Sequence, residues 1–181
     1  MSGEPMVART TSAEETRGLA ASLSTVLRPG DLILLVGDLG TGKTTFSQGL
    51  AAGLGVTEAV TSPTFTLVSA YRCHGPAERA GIRTLLHADL YRLDRLQDVV
   101  ELGLGEMVED DAVAVIEWGD VAGSLFGHEA LTVRLAANHT TAVPTTDSPP
   151  TDEERTVTLE PDGSWSARSG ALAERLRRWK A

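Results

Sequence analysis

The sequence is short of several features that mark particular classes of protein. It has one cysteine, Cys73, which leaves no partner for an internal disulfide or a zinc site. No run approaches the roughly 18 apolar residues of a membrane span, and no basic-then-apolar segment stands near the N-terminus. Acidic residues outnumber basic ones by 25 to 16, which argues against a broad nucleic-acid-binding face. We therefore expect a cytoplasmic protein that contacts no membrane and reaches nucleic acid only indirectly, through a partner.

What the sequence contains is sufficient for one globular domain. Of its 181 residues, 41% are hydrophobic and 23% are charged, which is an ordinary composition for a globular protein. A chain of this length can bury a sizeable core. We expect a single domain over residues 1–181.

One segment carries a specific signal. Residues 37–44, called the glycine loop below, read Gly-Asp-Leu-Gly-Thr-Gly-Lys-Thr and fit the template of a phosphate-binding P-loop. The apolar run 31–36 before it is typical of a strand buried on both faces. After it, Phe46, Leu50 and Leu54 recur every four residues, as on one face of a helix. Strand, loop and helix therefore stand in the order that a P-loop requires.

The geometry of such a loop predicts its chemistry. Glycines let backbone N–H groups turn toward phosphate oxygens, and the following helix adds the positive end of its dipole. Lys43 can reach the β- and γ-phosphates, and the Thr44 hydroxyl can ligate Mg²⁺. We predict binding of a nucleoside triphosphate with Mg²⁺, and the lack of an Asn-Lys-x-Asp block argues against GTP. The residues expected at the nucleotide are Leu39, Gly40, Thr41, Gly42, Lys43, Thr44 and Thr45.

Two further short strands, residues 85–89 and 112–117, each end in a carboxylate, Asp89 and Glu117. An acidic side chain at the end of a buried strand beside a P-loop usually orients Mg²⁺ or its waters. We expect both carboxylates at the site; the alternative is that they are solvated strand ends. Residues 62–66, Ser-Pro-Thr-Phe-Thr, are either a switch-like loop whose hydroxyls sense the γ-phosphate or an ordinary hydroxyl turn before a strand.

Caps and periodicity predict the remaining elements. Ser12 and Glu15 indicate a capping box at the start of the first helix. We further expect a strand at 66–71, a turn at 73–83, a weak helix at 94–108, half-buried strands around 131–135 and 157–159, and a short helix around 172–179. Residues 137–154 are rich in Thr, Pro and Asp, and we expect a flexible surface loop there, remote from the phosphate site.

Four blocks together resemble one family. They are residues 37–46, 62–68, 87–93 (His-Ala-Asp-Leu-Tyr-Arg-Leu) and 116–118 (Ile-Glu-Trp), and they are similar in order and spacing to the blocks of the TsaE (YjeE) ATPases. The resemblance covers about residues 10–135. It implies an α/β P-loop NTPase fold, with a central parallel sheet flanked by antiparallel strands and helices on both faces. It also implies ATP hydrolysis in support of N6-threonylcarbamoyladenosine formation at position 37 of tRNAs that read ANN codons, together with a TsaB–TsaD pair that performs the transfer.

The resemblance also implies roles for individual residues. Lys43 would be the phosphate lysine, Thr44 and Glu117 the Mg²⁺ ligands, and Asp89 the acidic residue needed for turnover. Thr64 or Thr66 would act from the switch-like loop. For the other residues the alternatives stay open. Trp118 lies beside the site or in the core, and His87 is a packed histidine or a proton shuttle. Tyr91 and Arg92 face a partner or phosphate, and Arg155 reaches the nucleotide only if the long 137–154 segment does not shift its alignment.

Two other functions remain open from the sequence. A small P-loop metabolite kinase would need a lid with several arginines, for which Arg79 and Arg83 are the available pair. A nucleotide-dependent regulatory or assembly subunit would keep the glycine loop but have negligible turnover. The family resemblance favours an ATPase that is slow alone and stimulated by partners.

Overall fold

Seven strands form one sheet in the computed structural model, which describes residues 3–63, 67–91, 96–101, 103–108, 111–118, 126, 129–138 and 154–180. The strands are β1 Met6–Thr10, β2 Leu32–Val36, β3 Val68–Arg72, β4 Thr84–Asp89, β5 Ala112–Glu117, β6 Ala130–Asn138 and β7 Glu154–Pro161. Their order across the sheet is β1-β7-β6-β2-β5-β4-β3. The four central strands β6, β2, β5 and β4 are parallel, whereas β7, β1 and β3 pair antiparallel at the two edges.

The central strands are apolar because the sheet is covered on both faces. Every side chain of β5 is buried, as are the first four of β2, and such runs are typical of parallel strands that are buried on both sides. Successive side chains alternate between faces, so Ile33 and Leu35 join one apolar cluster while Leu32 and Leu34 join the other.

Helices cover both faces of this sheet. The α-helices whose bounds lie in the described residues are α1 Ala13–Leu23, α2 Lys43–Gly53, α3 Pro76–Arg79, α4 Leu96–Glu101, α5 Leu104–Met107 and α6 Ser169–Leu176. The first face buries Leu19 of α1 and Phe46 of α2, and the second buries Leu104 of α5. Helices α1 and α2 pack closely, since a Cβ at Gly49 would lie 2.3 Å from the carbonyl oxygen of Arg17. None of the described helices combines the length and apolar character needed to cross a membrane.

The C-terminal segment is anchored to the start of β2 by a buried ion pair. Arg168 donates through Nη1 and Nη2 to the two carboxylate oxygens of Asp31 at 2.6 and 2.7 Å, and through Nη1 to the carbonyl of Val26 at 2.9 Å. Its guanidinium also lies over the Trp165 ring, 3.8 Å from the centroid. Because both charges are buried and the pairing is bidentate, this contact holds the two segments in one defined geometry.

The structure differs from the sequence expectations at several elements. Strand β1 was not expected, and residues 73–83 contain the short helix α3 instead of a turn alone. The helix expected over 94–108 consists of α4 and α5, because Gly103 adopts a left-handed φ of 62° between them. Ser12 accepts the Glu15 N–H at 3.0 Å as expected, but the Glu15 carboxylate accepts from the backbone N–H of Thr11, which lowers its pKa.

The predicted 137–154 loop is too long at both ends. Ala137 and Asn138 belong to β6, and Glu154 begins β7; the residues between, 139–153, lie outside the described residues. Antiparallel pairing of β6 with β7 extends to Asn138 and Glu154. Backbone hydrogen bonds therefore hold these strand ends, although their side chains show no apolar alternation that would predict a strand. Elsewhere, Cys73 is a buried free thiol. Burial, with Glu58 and Glu78 nearby, raises its pKa to about 11.

Candidate phosphate-binding site

The glycine loop joins the end of β2 to the start of α2. Helix α2 begins at Lys43 with Gly42 as its N-cap, at a φ of 101°. Gly37 is required by close approach, because a Cβ there would lie 2.3 Å from the carbonyl oxygen of Leu135. The loop is thus pressed against β6 on one side and opens at the N-terminus of α2, where backbone N–H groups have no helical acceptors.

The ammonium group of Lys43 is held inside this loop. Nζ donates to the carbonyls of Gly37 and Asp38 at 2.6 and 2.8 Å, and it lies 3.9 Å from the centroid of the Trp118 ring. The residue is only 5% exposed. A positive charge held within the loop by carbonyls and an aromatic face is suited to neutralising an anion that binds there.

Glu117 is the acceptor at the centre of a buried hydrogen-bond cluster. Its Oε2 accepts from Thr44 Oγ1 at 3.1 Å, and its Oε1 accepts from Ser47 Oγ at 3.3 Å. The Nε2 of His87 lies 2.8 Å from Oε1. Glu117 is 2% exposed and His87 is fully buried. Three side chains therefore orient one carboxylate toward the start of α2.

Asp89 lies next to Glu117 because β4 and β5 are parallel and these two residues are paired in register. Its carboxylate accepts from the Ser62 hydroxyl, and from the backbone N–H of Tyr91 at 3.0 Å. The backbone N–H of Asp89 donates to the carbonyl of Leu67 at 2.9 Å. Asp89 is thus hydrogen-bonded to Ser62, the first residue of the switch-like loop, and to Leu67, the residue that follows this loop.

Two residues beside the site have left-handed backbone conformations, which are uncommon for residues other than glycine. Trp118 has a φ of 62° and Leu67 a φ of 57°. Such conformations cost on the order of 1–2 kcal/mol and persist only where the surrounding contacts impose them. For Trp118, the turn places its ring over Lys43 and 4.9 Å from the Tyr91 ring. The strained conformation of Trp118 thus accompanies the placement of its ring over the Lys43 ammonium group.

Comparison with known proteins identifies the family. The model of the family described as threonylcarbamoyl adenosine biosynthesis protein TsaE matches residues 10–143. The chain belongs to the TsaE family. The Bacillus subtilis tRNA threonylcarbamoyladenosine biosynthesis protein TsaE is 38% identical over 125 residues, which are 69% of this chain and 73% of that protein. Its Treponema pallidum counterpart is 40% identical over 124 residues, 68% of this chain and 86% of that protein.

A solved structure has the same fold. The crystal structure of Bacillus subtilis YdiB matches this chain with a TM-score of 0.70 and 30% sequence identity, covering 98% of this chain and 97% of that one. The α/β prediction is confirmed: the sheet has a parallel centre with antiparallel edges, and its helices lie on both faces, as in a P-loop NTPase.

The fold brings most of the predicted site residues together. Lys43 and Thr44 begin α2, and Glu117 contacts Thr44 directly. Thr41 is buried and Thr45 half-buried, whereas Gly40 and Leu39 are exposed at the tip of the loop. Thr64, Thr66 and Arg92 lie outside the described residues, so the predicted roles of these three stay predictions.

Some members of this cluster were not foreseen from the sequence. The Ser47 hydroxyl donates a hydrogen bond to Glu117. Its spacing of four residues from Lys43, one helical turn, could have indicated that it faces the same site. His87 is buried in the core, which agrees with the first of the two alternatives given for it. Its imidazole also forms a hydrogen bond with Glu117. Its place two residues before Asp89 on the same strand puts both side chains on the same face of the sheet.

Arg155 lies beside the glycine loop, as one of the alternatives left open by the sequence held. The expectation that the 137–154 segment is remote from the phosphate site is wrong at its first residue, Ala137. In the structure a Cβ at Gly42 would lie 3.1 Å from Arg155 Nε, and Ala137 lines a cavity together with the glycine loop. The register pairs Ala137 with Arg155, so the β6–β7 hairpin delivers both residues to the loop.

The donor set fits Mg²⁺. Within the described residues, no three His, Cys, Asp or Glu side chains cluster in a way that could hold a metal ion. Mg²⁺ does not need such a cage, because it is usually held by one or two carboxylates together with phosphate oxygens and water. Thr44 and Glu117 bring one hydroxyl and one carboxylate oxygen within 3.1 Å of each other, and both are oxygen donors of the kind that Mg²⁺ prefers.

Proposed function

We propose that this chain is an ATPase that binds and hydrolyses ATP with Mg²⁺ in support of N6-threonylcarbamoyladenosine formation on tRNA. The observation that carries the proposal is the contact between Thr44 of the glycine loop and Glu117 at the end of β5, with Asp89 beside it in register. A phosphate cradle and two strand-end carboxylates at one point are the parts that phosphoryl transfer to water requires.

The roles follow from position. Lys43, held within the loop by the carbonyls of Gly37 and Asp38, would neutralise phosphate charge. Thr44 and Glu117 would hold Mg²⁺, which when bound neutralises charge developing on the transferred phosphoryl group. Asp89 would orient the attacking water from the neighbouring strand, and the Ser62 hydroxyl bonded to it would couple this carboxylate to the switch-like segment.

The partner and the compartment belong to the same proposal. The names of the relatives place them in threonylcarbamoyladenosine biosynthesis on tRNA, and a chain of formal net charge −9 is poorly suited to bind tRNA by itself. We infer that it acts in the cytoplasm with a TsaB–TsaD-like protein complex, that the complex and not this chain performs the transfer, and that tRNA is reached indirectly.

The geometry does not favour a metabolite kinase. The two arginines considered for a lid precede β4: Arg79 ends helix α3, and Arg83 stands just before Thr84. The candidate site lies at the other end of β4, after Asp89. A strand of six residues spans roughly 20 Å at about 3.3 Å per residue. These two arginines therefore lie at the opposite end of β4 from the acceptor position that a kinase would need to cover.

The test is ATP turnover of the full chain, alone and with TsaB–TsaD-like partner proteins and tRNA added. We expect slow phosphate release from the chain alone, stimulation by the partners, and formation of the modified nucleoside only when all components and ATP are present. Modified nucleoside formed at the full rate with a non-hydrolysable ATP analogue would instead support the regulatory-subunit alternative. No dependence on this chain would refute the proposal.

A further inference from the structure

A groove runs along the outer edge of the sheet, between β1 and helix α6. Strand β1 is the first in the sheet order, and β7 and β6 separate it from β2 and the glycine loop. The groove contains a cavity of about 570 Å³, which falls within the range of ligand-binding sites. The residues assigned above to the phosphate-binding site do not line it.

The outer edge of β1 is largely unpaired. Among the described residues its one partner on this side is Lys180, which forms an isolated antiparallel bridge with Ala8, whereas the inner edge pairs with β7 along the whole strand. Backbone N–H and C=O groups on an unpaired edge are a template for a further strand. The bridge shows that this edge accepts an antiparallel backbone. A strand that continued from Lys180 in the same direction would pass Val7 and then Met6.

The cavity beside this edge suits an apolar side chain of such a strand. On β1 its wall includes Met6 and Val7, of which Val7 is 44% exposed. On α6 it includes Ala173 and Leu176, which lie three residues apart on one side of the helix. Gly170 also lines it and leaves room because it has no side chain. Since successive side chains of a strand point to opposite faces, every second residue of an added strand could enter the cavity.

Register determines which positions of the added strand meet the groove. Glu4, Met6 and Ala8 are alternate residues and share one face of the strand. The extended chain stays beside β7 as far as Gly3, whose N–H donates to the carbonyl of Pro161 at 2.8 Å. Because the position opposite Ala8 is already taken, the next two positions on that face would lie opposite Met6 and Glu4.

The charges of the groove favour a basic residue at the second of these positions. Glu4 is exposed and forms no ion pair with another residue that the structure describes. Glu174, the other acid that lines the cavity, is paired with Arg177 on its own helix. A Lys or Arg opposite Glu4 would form a cross-strand ion pair. Lys180, the neighbour of the Met6 position on the same line, disfavours a cation there, so that position suits an apolar residue.

We propose that the outer edge of β1 and the cavity beside α6 form a docking site for an extended segment of a partner protein, which adds to the sheet as an antiparallel strand. The segment carries an apolar residue opposite Met6 and, two positions later, a lysine or arginine opposite Glu4. In this mode of recognition main-chain hydrogen bonds supply affinity, and pockets for alternate side chains supply specificity. The site does not rest on the proposed nucleotide chemistry, because β1 lies three strand positions, about 14 Å, from β2.

The first experiment titrates the full chain with the synthetic peptide Thr-Val-Thr-Lys-Thr, acetylated and amidated at its ends. The matched control peptide is Thr-Val-Thr-Glu-Thr. We expect the backbone amide NMR signals of Met6 and Val7 to shift with the lysine peptide, and the glutamate peptide to bind about fivefold more weakly, because it places like charges opposite each other. In the variant Glu4→Lys this preference should reverse.

The second experiment fills the cavity. Ala173→Phe changes an exposed helix residue that lines it and should weaken the lysine peptide about fivefold or more, since overfilling a contact costs about 1 kcal/mol or more. The matched control is Ala171→Phe, on the same helix and also exposed but not lining the cavity, which should leave the affinity within about twofold.

Several results would overturn the docking site. Amide signals of β1 that do not move with the lysine peptide would do so, as would equal affinity for the two peptides or an unchanged preference in Glu4→Lys. Equal weakening by Ala173→Phe and Ala171→Phe would show that the cavity takes no part. If sedimentation shows that the wild-type chain associates with itself and that Ala173→Phe abolishes the association, the edge belongs to a second copy and not to a partner protein.

Discussion

Removing the imidazole of His87 should impair turnover far more than nucleotide binding. His87 Nε2 lies 2.8 Å from Glu117 Oε1, closer than either hydroxyl that contacts this carboxylate. Because an ionised carboxylate only accepts hydrogen bonds, Nε2 donates to it. The substitution to test is His87→Leu, which keeps an apolar side chain of moderate size in the buried position and removes the donor.

The magnitude follows from burial. A hydrogen bond to a charged group contributes about 1.5–3 kcal/mol, and Glu117 is 2% exposed, so solvent replaces the lost donor poorly. If the hydrogen bond helps to orient the carboxylate in the transition state, its loss raises the activation free energy by that amount. The value of kcat should then fall by roughly 10- to 150-fold. Affinity for ATP should change by less than about threefold, because Lys43 and the loop backbone remain in place.

The assay is steady-state ATPase kinetics with the stimulating partners, alongside calorimetric ATP binding and chemical denaturation. Val113→Ala is the destabilising control: it truncates a buried side chain on the adjacent strand and the same face, should cost about 2 kcal/mol of unfolding free energy, and should retain kcat. His87→Gln, whose amide nitrogen can donate from a similar position, should recover much of the lost kcat. Equal losses in His87→Gln and His87→Leu, or a kcat within twofold of wild type in His87→Leu, would refute a positioning role.

Four further outcomes are expected. Lys43→Ala should cost about 2–5 kcal/mol of ATP binding in a folded protein, by calorimetry and circular dichroism. Alanine at Glu117 or Asp89 should lower turnover about 10- to 100-fold with little change in ATP affinity, since these groups act on metal and water. Arg155→Ala, which removes a cation from beside the glycine loop, should weaken ATP binding about fivefold, or roughly 1 kcal/mol. Arg168→Met should lower the unfolding free energy by about 3–5 kcal/mol, because it leaves a buried carboxylate unpaired.

Each expectation has a result that contradicts it. Unchanged ATP affinity in folded Lys43→Ala would remove the phosphate role of the loop. Full turnover after replacement of Glu117 would make it a structural strand-end carboxylate. If Arg155→Ala binds ATP as wild type does, the contact with the loop is packing alone. A denaturation midpoint unmoved in Arg168→Met would show that the buried ion pair adds no net stability.

The sequence predicted the parts of the fold that depend on short-range pattern. The sequence predicts a strand at residues 112–117, and β5 lies there. A short, continuous apolar run is typical of a strand that is buried on both faces of a parallel sheet. The glycine loop and the start of α2 were likewise predictable, since they occupy one contiguous template. Strand β1 was missed because its burial alternates over only five residues, and its partner β7 is almost 150 positions away in the sequence.

The site was predictable one residue at a time but not as a cluster. Spacing placed Asp89 and Glu117 at strand ends, yet only the β4–β5 register makes them neighbours. Ser47 lies outside the four family blocks, and the block that begins with His87 does not show what its imidazole contacts. Both side chains enter the cluster because they hydrogen-bond Glu117. Contacts that join three separate elements depend on packing, which local pattern does not encode.

Arg155 shows how strand register can determine the composition of a site. β7 is paired on both sides: Arg155 lies opposite Ala137 of β6 and opposite Thr10 of β1. A slip of one residue would move its side chain to the other face of the sheet, away from Gly42. Such a slip would also move buried Val157 and Leu159 out of the core, so the apolar residues of β7 hold Arg155 on the face of the glycine loop. The position of this arginine therefore depends on the core contacts of its own strand and not on the length of the chain between β6 and β7.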